Sequence, residues 1–360
     1  MAISYFFKKT LLQVVLTIAI SAFSLHSAEV WVKAGKNSEN LPDKQKFNRK
    51  QPLDSLFVLD DTDNLRLLYW NIQNGMWAGQ GDNYNKFVEF VREYNPDVCV
   101  WCEAASIYKT GTAEKSANED KYLPDHWGEL AKRYGHQYWY KGGHRDNYPQ
   151  VITSKYPIEN VARITGAEPD SVVSHGAGWA TLEKNGKKIN IVTLHTWPQR
   201  FKLGVNDKEG RAASMAANEG DKYRRMEIEY ICRHTIGTEL DADKQLWMMM
   251  GDFNSKSRVD NEFYKMNPDT TAFLCQDYVI ENTPYVDIIS KRNPGKFVST
   301  CGNPLRIDYV YCTKPLYDRV RHAEVIRNDY TTPVRDPLKQ SNFYIPSDHC
   351  PILVDFDLTR

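Results

Sequence analysis

The stretch Trp179–Thr196, WATLEKNGKKINIVTLHT, reads as two strands joined at Asn185-Gly186. Asn-Gly favours a two-residue hairpin turn, because both residues tolerate the positive φ that such a turn needs. On either side, short apolar runs recur between turn-rich segments. Upstream lie LRLLYW (65–70), PDVCVWCE (96–103) and QVITSKYPI (150–158); downstream lie QLWMMMGDF (245–253), RIDYVYCT (306–313) and PILVDFDL (351–358). Each has the length and the β-branched and aromatic content of a strand. Two segments follow helical spacing instead. In 84–94, Phe87, Phe90, Val91 and Tyr94 fall on one face, and in 223–234 Met226, Tyr230 and Ile231 do the same. Many strands with few helices predict an α+β domain of two packed sheets with helices outside, and no internal repeat points elsewhere.

Composition narrows the class. The 360 residues are 41% hydrophobic and 26% charged, an ordinary globular balance that excludes disordered, collagenous and multi-span membrane chains. Lys+Arg and Asp+Glu both number 46, which disfavours a bulk polyanion binder. Lys8 and Lys9 precede an apolar run, Leu11–Phe23, that is shorter than the roughly 20 residues needed to span a bilayer. This pattern predicts a signal peptide over 1–28 and export to the periplasm or the exterior of a bacterial cell. Its removal deletes two lysines and no acids, leaving 44 bases against 46 acids and a net charge of −2. Residues 29–64 read as a polar extension, and 65–360 as one domain. Of seven cysteines, Cys99 and Cys102 have zinc-like spacing, but on a strand they point to opposite faces and no second CxxC exists, so zinc is not expected.

The chemistry-bearing residues gather where expected strands end. Asn71 follows LRLLYW, Glu103 follows VCVW, and His195 follows INIVTL. Asp252 and Asn254 follow LWMMMG, Asp308 lies in RIDYVYC, and Asp348-His349 precedes CPILVDF. Loops held by a rigid sheet are the usual home of catalytic groups. There is no Gly-x-Ser-x-Gly elbow and no obvious cysteine nucleophile. Carboxylates and amides are hard oxygen donors suited to Mg²⁺ or Mn²⁺, with Ca²⁺ a further candidate.

Seven segments, LYWNIQNG, PDVCVWCEA, ITSKYPI, VTLHT, GDFNS, RIDYV and SDHCPI, occur in an order that resembles the endonuclease/exonuclease/phosphatase superfamily. That group includes secreted DNases, abasic-site endonucleases, sphingomyelinases and inositol or sugar phosphatases. Any one segment is weak; seven in order, across roughly residues 65–358, are not. The resemblance implies a four-layered α/β sandwich with two mixed β-sheets packed face to face, and a metal-dependent phosphoester hydrolase. By the same resemblance Glu103 is the principal metal ligand, with Asn71 beside it and Asp348 completing the network. Asp252 and Asn254 orient and deprotonate the attacking water, and His349 donates to phosphoryl oxygens with Asp308 as its partner. His195 matches a second family histidine that contacts phosphate or protonates the leaving group.

The sequence also departs from the pattern. Gln73 stands where some nucleases carry an acid, and Tyr148-Pro149-Gln150 replaces the small residues usual before VITSKYPI. His144, Arg145 and His175 are candidate phosphate contacts. The polar stretch 198–230 is expected to be a surface loop more than a substrate-shaping insertion. Among substrates, a small phosphorylated compound such as a sugar phosphate fits the charge balance and the tryptophans near the motifs (Trp70, Trp77, Trp101, Trp179, Trp197). A nuclease would need a basic stripe, for which Arg200–Lys202 and Lys222–Arg225 are the candidates. A sphingomyelinase-like enzyme would need an exposed apolar hairpin, and none is compelling.

Overall fold

The computed structural model describes residues 32–33, 63–105, 126–144, 148–166, 173–336 and 343–359. The expected signal peptide, most of the polar extension and Arg145 lie outside the described residues. In chain order the strands are β1 (Val32–Lys33), β2 (Asn64–Asn71), β3 (Val98–Cys102), β4 (Tyr138–Gly142), β5 (Gln150–Ser154), β6 (Ile158–Ile164), β7 (Ala177–Lys184) and β8 (Lys187–His195). There follow β9 (Leu246–Asp252), β10 (Tyr285–Asp287), β11 (Asp308–Thr313), β12 (Val320–Val325), β13 (Val334–Arg335), β14 (Tyr344–Ile345) and β15 (Ile352–Asp357). The principal helices are α1 (Asn85–Tyr94), α2 (Trp127–Arg133), α3 (Lys208–Ala216), α4 (Glu219–Arg233) and α5 (Leu274–Asn282). No helix among the described residues is long and apolar enough to cross a membrane.

Two large sheets result. The first runs β1-β4-β5-β3-β2-β15-β12 and the second β10-β11-β9-β8-β7-β6, while β13 and β14 pair separately. Each large sheet is mixed, with one parallel pair at its centre: β2 with β3 in the first and β8 with β9 in the second. The remaining pairs are antiparallel, including the β7–β8 hairpin. At its turn Asn185 has φ 54° and Gly186 φ 70°, the left-handed conformations that an Asn-Gly turn supplies.

Alternation along the strands explains the layers. On β2, Leu65, Leu67 and Tyr69 face an inner core that also holds Val98 and Val100 of β3, Ile189 and Ile191 of β8, and Met248 and Met250 of β9. The intervening Leu68 and Trp70 join Cys99 and Trp101 in an outer core under α1 and α2. On the second sheet, Val192, Leu194, Trp247 and Met249 pack outward on Ile228 and Ile231 of α4 and Val279 of α5. The order is helices, sheet, sheet, helices: the four-layered sandwich. Strands buried on both faces need continuous apolar runs such as LWMMM, not an alternating pattern.

Two sequence expectations change. Helix α4 begins at Glu219 and turns Met226 outward, 44% exposed; Tyr223, Glu227, Ile228 and Ile231 form its buried face instead. The segment 198–230 is not simply a loop, because it contains α3 and most of α4. An Ala-rich run with an Asp207 cap, whose carboxylate accepts the Gly210 N–H at 2.7 Å, favours α3. Of the five tryptophans placed near the motifs, Trp70, Trp77 and Trp101 are core residues, and Trp179 packs on Trp247.

Candidate active site

The carboxyl ends of the two central parallel pairs meet across the inner core, and strand register sets the site's spacing. In the second sheet His195 lies beside Asp252, and Asp252 lies beside Asp308. One rung therefore carries all three. In the first sheet Asn71 pairs with Cys102, so Glu103 follows at the very end of β3. This is a short rigid floor on which small displacements are resisted by both ladders.

Local backbone then aims the donors. Glu103 has φ 55°, and Gln73, Asn74, Gly75 and Met76 all take positive φ, an unusual left-handed run directly after Ile72. Such conformations persist only where surrounding bonds over-determine them. Here the Gly75 N–H donates to the Glu103 carbonyl at 2.7 Å and the Asn74 N–H to Glu103 Oε2 at 2.9 Å. Asn71 bridges the floor: its Nδ2 donates to Asp252 Oδ2 at 3.0 Å and to Glu103 Oε1 at 3.3 Å. Its Oδ1 accepts the Gln73 N–H at 3.1 Å.

Asp252 is 2% exposed, and its Oδ1 accepts the Asn254 N–H at 2.8 Å. Its Oδ2 stands 3.7 Å from His195 Nε2 and also 3.7 Å from His349 Nε2. The Asn254 side chain donates to the Thr196 carbonyl at 3.0 Å, which ties the two strand ends together. His349 Nδ1 meets Asp308 Oδ2 at 2.7 Å, leaving Nε2 toward Asp252. Asp308 is itself held, by the Tyr69 hydroxyl at 2.8 Å and by its own N–H on Thr300 Oγ1 at 3.2 Å. Asp348 sits at the rim, its Oδ1 3.8 Å from His349 Nε2.

Electrostatics separates the two histidines. Burial alone would discharge His349, but Asp308 and its anionic neighbours outweigh burial and hold the imidazole well above its usual range. His195 is driven well below it by burial, with His175 and His349 adding repulsion. Burial and the Asp308 charge push the Asp252 carboxyl up, and burial and Asp348 do the same to Glu103. Such crowding of buried acids is what a bound cation relieves. Donor atoms of Glu103, His195 and Asp252 lie within 4.8 Å of one another, a predominantly oxygen set that fits a hard divalent ion. A second group, Cys301, Asp308 and His349, lies within the same limit, but its Asp308–His349 hydrogen bond already occupies two of its ligands.

The remaining sequence candidates build the wall. His175 stacks on His195 with centroids 4.4 Å apart, and Tyr148 stands edge-on to both rings at 5.2 and 6.2 Å. Trp197 is 6.1 Å from His175. His144 fastens this wall: its N–H donates to the His175 carbonyl at 2.9 Å, and its Nε2 lies 3.1 Å from the Val173 carbonyl. Gln73 turns away from the acids and accepts from Trp77 Nε1 at 3.2 Å and the Tyr344 N–H at 3.1 Å.

Three contributors escaped sequence reasoning. Tyr69 shares the inward parity of Asn71 on β2, so period-two reading would have found it. Thr300 and Glu227 gave no local signal. Glu227, fully buried on α4, accepts the Ser174 N–H at 2.7 Å, the Ser174 hydroxyl at 2.6 Å and the Trp197 N–H at 2.8 Å.

Among curated proteins none matches this sequence. Solved structures are similar in fold. An AP endonuclease from Archaeoglobus fulgidus matches at 18% identity and TM-score 0.52, over 81% of this chain and 99% of its own. An endonuclease/exonuclease/phosphatase from Beutenbergia cavernae matches at 16% identity and TM-score 0.52, over 82% and 72%. The human Nocturnin catalytic domain matches at 15% identity and TM-score 0.50, over 84% and 96%. The model of the Endonuclease/Exonuclease/phosphatase family matches residues 68–349, which contain the whole floor of the site. With that span matched, the chain belongs to the Endonuclease/Exonuclease/phosphatase family.

Proposed function

We propose that this chain is an exported hydrolase of small phosphoesters that works with Mg²⁺ or Mn²⁺. The observation that carries the reaction is the rung placing Asp252 Oδ2 3.7 Å from two histidine Nε2 atoms beside Glu103. Hydrolysis of a phosphoester requires a positioned water, a proton acceptor and compensation of charge on the phosphoryl oxygens. Asp252 accepts the proton of the attacking water, and Asn254, fixed by Thr196, orients that water. His349, held cationic by Asp308, donates from Nε2 to a phosphoryl oxygen. His195, buried and neutral, contacts the same group from the other side. Glu103 would hold the divalent ion, with Asn71 beside it and Asp348 at the rim, and the ion would polarise the phosphoryl group as a Lewis acid.

A small substrate is favoured by arginines that the fold takes up, while Arg200, Lys202 and Lys222 remain exposed. Of the expected basic cluster Lys222–Arg225, Arg224 is buried and paired with Asp221 at 2.5 Å, and Arg225 is paired with Glu229 at 2.5 Å. Arg306, next to the site in sequence, is buried between Asp260 and Asp287. These guanidiniums brace the fold and are not presented to a polyanion backbone. Export rests on Lys8-Lys9 and the Leu11–Phe23 run. The test is a panel of sugar phosphates, nucleotides, plasmid DNA, RNA and sphingomyelin with and without chelator. Activity is expected on the small esters, lost with EDTA and restored by Mg²⁺ or Mn²⁺. Full activity in chelated enzyme overturns the metal role, and turnover confined to plasmid DNA or RNA overturns the substrate class.

A further inference from the structure

One stripe of α4 serves the segment after His195 rather than the hydrophobic core. Gly220, Arg224 and Glu227, spaced by four and then three residues, share a helix face. Glu227 receives the Trp197 N–H, and Arg224 Nη1 donates to the carbonyls of Trp197 at 2.8 Å and Gln199 at 3.0 Å. The Gly220 N–H donates to the Arg200 carbonyl at 3.1 Å. At Gly220 a Cβ would lie 2.4 Å from the Gln199 carbonyl oxygen, so only glycine permits this approach. A buried carboxylate and a buried guanidinium are costly to desolvate unless fully engaged. Here Arg224 fastens the Trp197 and Gln199 carbonyls while pairing with Asp221, and Glu227 joins Ser174 to the Trp197 N–H.

The fixed segment carries rings that the core does not use. Trp197 is only half-buried, and it stands between His175 and a cavity of about 370 Å³ that it lines with Phe201, Leu203, Val205 and Arg211. The loop closes on itself through Trp197 Nε1 donating to the Phe201 carbonyl at 2.5 Å. Arg211 donates from Nε to the Val205 carbonyl at 3.0 Å and lies 4.7 Å from the centre of the Phe201 ring. The cavity is thus rimmed by aromatic and aliphatic faces, the amides of Gln199 and Asn206 and one cation, Arg211, and shares Trp197 with the catalytic wall.

We propose that Trp197 and the loop through Arg211 form a subsite for the organic part of the substrate, selective for a ring with apolar faces, a sugar or a base, and that Glu227 positions it. This rests on the phosphoester reading and specifies its substrate class. Stacking on such a platform tolerates different rings and is worth roughly tenfold or more per ring. Glu227 acts through Trp197. A glutamine there would still accept from Ser174 but turn its NH₂ toward the Trp197 N–H.

The experiment compares ethyl and benzyl phosphoesters, whose leaving alcohols have similar acidity, as mono- and diesters in the presence of Mg²⁺. Hexose phosphates and nucleoside monophosphates form two further arms. The native chain is expected to favour the benzyl ester by about tenfold in kcat/KM, carried by KM. Trp197→Ala and Gly220→Ala should collapse that ratio toward one, Trp197→Phe should restore most of it, and Glu227→Gln should lower it through KM. A ratio near one in the native chain, or one unmoved by Trp197→Ala in folded protein, overturns the subsite. The hexose and nucleotide arms decide which ring is taken. Binding of benzyl and ethyl phosphate to Asp252→Asn protein by calorimetry separates the two readings. Ring preference in binding with no turnover by the native chain upholds the subsite and overturns the hydrolase. Turnover with equal binding of the two esters overturns the subsite alone.

Discussion

The floor and the wall of the site are built by different means. On the floor, His195, Asp252 and Asp308 occupy adjacent strand ends in one rung, and Glu103 and Asn71 occupy the matching ends of the other sheet. On the wall, His175, Tyr148 and Trp197 sit on connections, and their placement depends on His144, Arg224 and Glu227 reaching in from elsewhere. Ladders fix the floor residue by residue, whereas single side-chain bonds fix the wall. A family can therefore keep one chemistry while its substrate pocket changes, because altering a connection leaves the register intact.

The sharpest way to break this contrast is at the floor. Asp252→Ala should lower kcat by roughly two or more orders of magnitude with a native circular dichroism spectrum. Near-normal turnover would remove Asp252 from the reaction. At the wall the expected effect is on stability. Burial raises the Glu227 carboxyl from 4.5 to about 7, with Ser174 and Trp197 lowering it only in part. Unfolded chains release this proton first, so between those values the folded state binds more protons and its stability falls as pH rises. Relative to Glu227→Gln, the native chain should lose on the order of 3 kcal/mol across that window in urea unfolding. A pH-independent difference between the two proteins would show that Glu227 is not so buried.

Smaller effects refine the comparison. Tyr69→Phe removes one hydrogen bond from Asp308, two steps from the substrate, and should reduce kcat about fivefold with KM unchanged. A change in KM alone would place Tyr69 with the wall. Gly186→Ala, at the hairpin turn with φ 70° and nothing within 4 Å of its added Cβ, should cost about 1 kcal/mol of stability and leave kinetics alone. Altered turnover there would mean that register at the far end of the β7–β8 hairpin is felt at His195.

Most of the floor was legible because its information is local. A strand ends where its apolar run ends, so GDFNS and VTLHT announce both an element and a chemical group at its tip. The β7–β8 turn was legible for the same reason, since Asn185-Gly186 encodes positive φ within two residues. The α4 face was misjudged at Met226 because helical spacing reports that an apolar side exists, whereas burial of Glu227 was decided by partners 30 and 53 residues away. The 198–230 segment reads as a loop because α3 and the first turn of α4 carry few apolar residues and part of the buried α4 face, Arg224 and Glu227, is polar.

By itself the sequence determined the strand inventory, the hairpin, the resemblance to a phosphoester-hydrolase family and the identities of the residues on the floor, all consequences of short-range pattern. Tertiary structure alone decided that Asp252 lies between two histidines whose pKa values their surroundings push in opposite directions, and that α4 fastens Trp197 beside them. Charge state depends on burial and on neighbours brought together from distant sequence, and neither is fixed until the two sheets have packed.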